Sequence, residues 1–266
     1  MARISDIDIS LEITPPASPR PTVLLRRASA LGSLPHYVNV IHRTDRWSSL
    51  DASIALRRSG VAPVWHIANR GRLAHELESE IDRAKIAGLR RVLCVRGEYK
   101  ARDWLETPKI REVVRMIRRG LPGAHIAVTL NHHQSADRVM RNLLPKLEAG
   151  ANAVQTQLTF ELDTLRRFAE ALKADRPDLV ITPMLLPVLS LKAALRLSHR
   201  LSISIPSELM QGLARHGTEA GWEHFSRLVT AIRDSPLFDG VALMTPMDMD
   251  DGFATRLAGA IALPDS

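Results

Sequence analysis

His125-Ile126-Ala127-Val128-Thr129-Leu130, the stretch 136–149, and Ala153-Val154-Gln155-Thr156-Gln157 follow one another, and together they decide the fold. The outer pieces are short and rich in β-formers, and the piece between them has the apolar spacing of an amphipathic helix. A strand, a helix and a second strand joined by short connections make a parallel pair. Gly150 falls just past the helix, where a left-handed cap favours glycine.

The same unit repeats outward in both directions. Strands are predicted over 7–13, 37–41, 61–68 and 91–95 before it, and over 179–186 and 240–244 after it. Helices are predicted over 22–31, 48–59, 74–87, 107–119, 162–174, 191–201, 207–215, 218–233 and 251–261. Eight strand–helix units predict an α/β fold, a single (β/α)8 TIM barrel, with 1–266 as one domain. The length of 266 residues suits a barrel of roughly 250. An open doubly wound sheet is the rival, but its glycine-rich phosphate turn is missing after the first strand. Gly60, Gly88 and Gly120 also fall past predicted helices and are expected to cap them.

Hydrophobic residues make up 45% of the chain and charged residues 24%, values that allow one large core. No apolar run reaches the roughly 18–20 residues of a membrane span. Asp6 and Asp8 stand where a secretory leader carries basic residues, and Cys94 is the only cysteine. No disulfide or zinc cluster is spelled out, and a cytoplasmic location is expected. The formal charge is +7, with 30 arginines against 6 lysines. A GC-rich genome accounts for that excess of arginine; a polyanionic small substrate also fits the charge. Nucleic acid is not expected, because aromatics are 4% of residues and no basic run is interleaved with them.

In this fold the C-terminal strand ends and the loops after them form the catalytic face. Those positions carry Glu12, His42-Arg43, His66 with Asn69, Arg96-Gly97-Glu98, Asn131-His132-His133, Gln155, Gln157, Thr182 and Thr245. A partly buried Glu12 has a raised pKa and can act as a general acid; the plainer role is a salt bridge to an arginine at the mouth. His66 reads either as a ligand group or as a hydrogen-bonded structural histidine. Gly97 permits a sharp turn or a close backbone approach to a ligand. Adjacent histidines point apart and no third ligand is spaced for them, so no metal is expected. The 131–133 loop touches a ligand or solvent. Gln155 and Gln157 share a strand face. Their amides can read a planar heterocycle or be satisfied in packing. Cys94 reads as a small core residue.

Several segments together resemble the methylenetetrahydrofolate reductase family. Ser10-Leu11-Glu12-Ile13-Thr14-Pro15-Pro16 is similar to its Phe-Glu-Phe-Phe-Pro-Pro element, and Leu93 to Glu98 to its Leu-Arg-Gly-Asp turn. Gly150-Ala151-Asn152 through Thr156-Gln157 resembles its Gly-Ala-Asp/Asn…Thr-Gln strand. Thr182-Pro183-Met184-Leu185-Leu186-Pro187-Val188 resembles its Pro-Gly-Ile-x-Pro segment, with Ile205-Pro206 following in order.

The resemblance implies reduction of 5,10-methylenetetrahydrofolate to 5-methyltetrahydrofolate with hydride from NADH or NADPH, usually through FAD. It makes Glu12 the acid that opens the folate ring to an iminium and puts Glu98 beside the pterin. Gln157 would contact the pterin, with Gln155 and Thr182 in the same pocket. His66, Arg96, Gly97, His133, Asn142 and Lys146 would fall at the cofactor. Departures are also visible. Glu98 replaces an aspartate, the tyrosine of the loop after strand five is gone, and Val139 and Pro145 replace polar groups near the FAD diphosphate. The chain is similar to short, divergent members that work without flavin, so FAD is the doubtful cofactor. Two other readings stay open: a folate-binding barrel with a methyl-transfer or carrier role and no reductase activity, and a barrel enzyme acting on another anionic substrate.

Overall fold

Strands and helices alternate as the spacing predicts, and the strands close on themselves. The computed structural model describes residues 7–97, 106–246 and 249–262. The strands are β1 (Asp8–Ile13), β2 (Tyr37–Val40), β3 (Pro63–Ala68), β4 (Arg91–Val95), β5 (His125–Leu130), β6 (Ala153–Leu158), β7 (Val180–Leu185) and β8 (Gly240–Met244). All pair in parallel with their sequence neighbours, and β8 pairs with β1. Closure removes the free edges that an open sheet exposes.

Among the described residues ten helices pack outside: α1 (Pro21–Ala28), α2 (Ser49–Arg58), α3 (Ala74–Ile86), α4 (Ile110–Gly120), α5 (Ala136–Glu148), α6 (Asp163–Asp175), α7 (Leu191–Leu201), α8 (Ser207–His216), α9 (Thr218–Arg233) and α10 (Asp251–Ile261). Ser48, Ser190 and Asp250 accept the backbone N–H of Asp51, Ala193 and Phe253, so each satisfies an N–H that a helix start leaves open. Helix α4 begins three residues later than predicted. Pro108 disfavours helical backbone at Thr107, and the Glu112 carboxylate accepts the Lys109 N–H at 2.7 Å to close the first turn.

Gly60, Gly88 and Gly150 take positive φ past their helices, as expected. Gly120 does not. It is the last residue of α4, and a Cβ there would meet Ile81 Cγ2 at 2.3 Å. Close packing of α4 on α3, and not a left-handed cap, needs glycine at that position.

Alternation along the strands divides two cores. Ile9, Leu11, Ile13, Val38, Val40, Trp65 and Ile67 are buried in the layer between strands and helices. The residues between them face the lumen. The lumen floor is apolar, with Val64, Leu93, Ala127 and Ala153 in one cluster. The Arg91 guanidinium stacks 3.6 Å from the Tyr37 ring centroid beside it. The polar lumen positions lie above this plug, toward the C-terminal strand ends. A third cluster, including Phe160, Val188, Ala194, Leu197, Leu209 and Leu213, holds α7 and α8 over the end of β7. No helix among the described residues is long and apolar enough to cross a membrane.

Candidate active site

Glu12 lies on the lumen face near the end of β1, in register with Asn39 of β2 and Met244 of β8. It lines a cavity of about 1550 Å3 that opens between the ends of β7, β8, β1 and β2. The residue keeps partial solvent contact, but atoms crowded around its carboxyl exclude water and raise its pKa to about 7. No basic side chain pairs with Glu12 among the described residues. The plain ion-pair role is therefore not the one the fold gives it, and the acid form persists to near neutrality.

A buried chain of polar groups runs beneath Glu12. Asn39 donates from its amide nitrogen to Ser10 Oγ at 2.8 Å, and Ser10 reaches the Val241 carbonyl at 3.5 Å. The Asn39 oxygen is then the acceptor for His66 Nε2 at 3.2 Å. That pairing puts the single imidazole proton on Nε2. Burial, with His42 nearby, pushes the His66 pKa down to about 3, so the ring stays neutral. His66 is thus a hydrogen-bonded lumen residue. Sequence inspection passed over Asn39 and Ser10. The available signal was parity: each stands two residues from another lumen position, between apolar neighbours.

Gln155 and Thr182 face the lumen as register partners on β6 and β7. Gln155 is buried, and its amide nitrogen has no partner among the described residues. A buried donor of this kind is costly unless a ligand or water satisfies it. The register of β6 on β7 shifts between Gln155 and Leu158. Thr156 Oγ1 accepts the Met184 N–H at 3.0 Å and contacts Thr159 Oγ1 at 3.1 Å, which pins the bulge. Gln157 sits on it, its oxygen accepting the Leu158 N–H at 2.9 Å. Its NH2 group makes none of these bonds. Bulges commonly re-aim side chains next to sites.

The far side of the mouth is built differently. Gly97 has φ of +85°, and a Cβ there would lie 3.0 Å from Ala68 Cβ, so the turn after β4 requires glycine. Arg96 is exposed. Glu98 lies outside the described residues. His133 bonds the Leu158 carbonyl through Nε2 at 2.8 Å. His132 is buried against it, with ring centroids 4.1 Å apart and no partner for either nitrogen among the described residues. Asn142 is exposed on α5. Lys146 is buried, and desolvation lowers its pKa despite the Cys94 thiol nearby. Cys94 itself belongs to the strand–helix core.

None of His66, Arg96, Gly97, His133, Asn142 and Lys146 lines the large cavity, whereas Glu12, Arg43 and Thr245 do. A flavin diphosphate needs converging donors. His133 and His66 are bonded to protein groups, and Lys146 is buried. Arg96 and Asn142 are exposed, and Gly97 sits at the turn after β4. Among the described residues no three His, Cys, Asp or Glu side chains gather as a metal site.

Comparisons with known proteins agree with this architecture. Residues 1–225 match the family described as methylenetetrahydrofolate reductase. The 5,10-methylenetetrahydrofolate reductase of Escherichia coli (strain K12) is 25% identical over 216 residues, covering 77% of this chain and 73% of that protein. A probable methylenetetrahydrofolate reductase (NADPH) of Caenorhabditis elegans is 28% identical over 169 residues, 56% of this chain. This chain spans only 25% of that longer relative. A solved structure of an uncharacterized protein from Clostridium thermocellum, which binds two copies of 5-methyl-5,6,7,8-tetrahydrofolic acid, superposes with a TM-score of 0.68. It covers 96% of this chain at 13% identity and shares the fold. With the family matched over most of its length, the chain belongs to the methylenetetrahydrofolate reductase family.

Proposed function

We propose that the protein reduces 5,10-methylenetetrahydrofolate to 5-methyltetrahydrofolate with hydride taken directly from NADH or NADPH. The observation that carries this reading is Glu12: a carboxyl with no basic partner among the described residues, at the base of an open cleft, with its pKa raised to about 7. An acid held protonated near neutral pH is what opening the folate ring requires.

The Glu12 proton goes to a ring nitrogen of the folate. The C–N bond to the methylene carbon breaks, and an iminium forms. Hydride from the reduced nicotinamide adds to that carbon, leaving a methyl group on the folate and an oxidised nucleotide. Water returns the proton to Glu12. The neutral His66 and its Asn39 and Ser10 partners add no positive charge beneath Glu12 that would ionise it early. Gln157, Gln155 and Thr182 would hold the pterin by amide and hydroxyl contacts. Glu98, by its place after β4, would stand beside the pterin as the second carboxylate. Direct transfer from the nucleotide is favoured because two of the positions expected at a flavin, His66 and His133, are bonded to protein groups.

The test is turnover of methylenetetrahydrofolate with NADH and with NADPH, no flavin added, with 5-methyltetrahydrofolate read by mass spectrometry. A product that forms only after FAD is supplied would overturn direct transfer. The fold neighbour that binds 5-methyltetrahydrofolic acid favours a second reading, a folate-binding barrel with a carrier or methyl-transfer role. Tight folate binding with no product under any of these conditions would select it.

A further inference from the structure

Four strands are joined in the lumen by side chains as well as by the sheet. Ser10 of β1, Asn39 of β2 and His66 of β3 are 8%, 1% and 4% exposed, and their bonds end on the Val241 carbonyl of β8. These bonds share one direction. A carbonyl only accepts, so the Ser10 hydroxyl donates to Val241 at 3.5 Å. The Ser10 oxygen is then left to accept from Asn39 Nδ2 at 2.8 Å. That turns the Asn39 oxygen toward His66 Nε2 at 3.2 Å, and the ring proton sits there. The opposite direction would put the Asn39 oxygen on Ser10 and its amide nitrogen on His66. The ring proton would then move to Nδ1, and Val241 would lose the hydroxyl.

The direction matters because of where the chain lies. Asn39 is the register partner of Glu12, and Ser10 stands two residues before Glu12 on the same strand face. Both carry protons that a carboxylate could accept, and a carboxylate that accepts hydrogen bonds ionises more readily. Yet no hydrogen bond reaches Glu12 among the described residues, and burial alone raises its pKa. The Ser10 proton is given to Val241, the His66 proton to Asn39, and an Asn39 amide proton to Ser10. Arg26, Arg27, Arg43, Arg196, Arg200 and Asp251 share the cleft with Glu12, and His42 stands near His66. None of these charged or titratable groups pairs with Glu12.

We propose that Ser10 and Asn39 are positioning residues for the reaction at Glu12: by directing the buried chain toward the Val241 carbonyl, they withhold hydrogen-bond donors from the Glu12 carboxyl and keep it a proton donor. The proposal rests on Glu12 being the acid of the reading above. Ser10→Ala removes the anchor and leaves Asn39 free to turn its amide toward Glu12. Ser10→Thr keeps a hydroxyl at the same position and serves as the rescue.

Two measurements test the proposal. Nitrogen NMR of the histidine-labelled chain, with His66 assigned by the signals lost in His66→Gln, reads the ring directly. A neutral ring protonated on Nε2 is expected in the natural chain, and a proton on Nδ1 would overturn the proposal without any variant. The second measurement is the pH profile of kcat/KM for methylenetetrahydrofolate reduction, with thermal melts to check folding. One donor released to the carboxylate should move the falling limb about one pH unit lower in Ser10→Ala, so the ratio of kcat/KM at pH 8 to that at pH 5 should drop roughly tenfold. Ser10→Thr should keep the limb of the natural chain. A Ser10→Ala variant that is less stable but keeps the limb in place would make the chain merely structural and overturn the proposal. If Glu12→Gln turns over like the natural chain, the reading of Glu12 itself fails. If Glu12→Gln is inactive and Ser10→Ala keeps the limb, only the present proposal fails.

Discussion

The two sides of the barrel mouth carry similar residue types and use them in opposite ways. On the β8–β1–β2 side, Glu12 and Arg26 face an open cleft with no ion pair among the described residues. On the β4–β6 side, His133 is bonded to a backbone carbonyl and Lys146 is buried near the Cys94 thiol. A basic or titratable group serves a ligand only when the fold leaves it without a better partner.

The sharpest way to break this contrast is Glu12→Gln. Removing a positioned acid costs roughly a hundred- to ten-thousand-fold in turnover, and kcat/KM for the reductase reaction is expected to fall by that order with the fold retained. In the natural chain kcat/KM should decline above pH about 7 as Glu12 ionises. A flat profile, or an unaffected variant, would move the proton donor elsewhere.

The buried chain under Glu12 comes next. Asn39→Leu strands Ser10 and the His66 N–H without their partner. The expected cost is about 1–3 kcal/mol for each unpaired group, read from the denaturation midpoint. A loss below that range would mean the lumen relaxes or admits water.

A smaller effect follows from the same carboxyl in the folding equilibrium. The folded pKa of Glu12 lies above its ordinary 4.5, so its favourable share in stability is whole below that value and is lost as pH rises through about 7. Glu12→Gln should therefore stabilise the protein at pH 8 relative to pH 5, by on the order of 2 kcal/mol, measured as a difference in Tm. The smallest effect is expected across the mouth. Lys146→Met removes a charge from a buried place, so it should be neutral or stabilising by up to ~1 kcal/mol. Its turnover should remain within about twofold of the natural chain. A large rise in KM for the nucleotide would show that Lys146 reaches the ligand, and the two sides would no longer differ.

Much of the barrel was legible because each strand and helix advertises itself locally. Apolar spacing and glycines after helices set the boundaries to within about three residues. Gly120 misled for a physical reason: its need for glycine comes from Ile81 on a neighbouring helix, and no local pattern records that contact. Glu12 was legible as a carboxyl at the end of a strand. Its solitude was not, since an arginine-rich chain offers many partners that only the folded packing withholds.

Local periodicity in the sequence determined the strands, the helices and which residues could share a face, because those depend on neighbours two to four positions away. Closure of the barrel decided the rest. It sets β1 against β8, so Glu12 meets Met244, and it brings Arg26 to the same cleft as Arg196 and Arg200. It also joins Ser10, Asn39 and His66 into one chain of hydrogen bonds. These groups are far apart in the chain, and strand register and helix packing, which no short stretch encodes, bring them together.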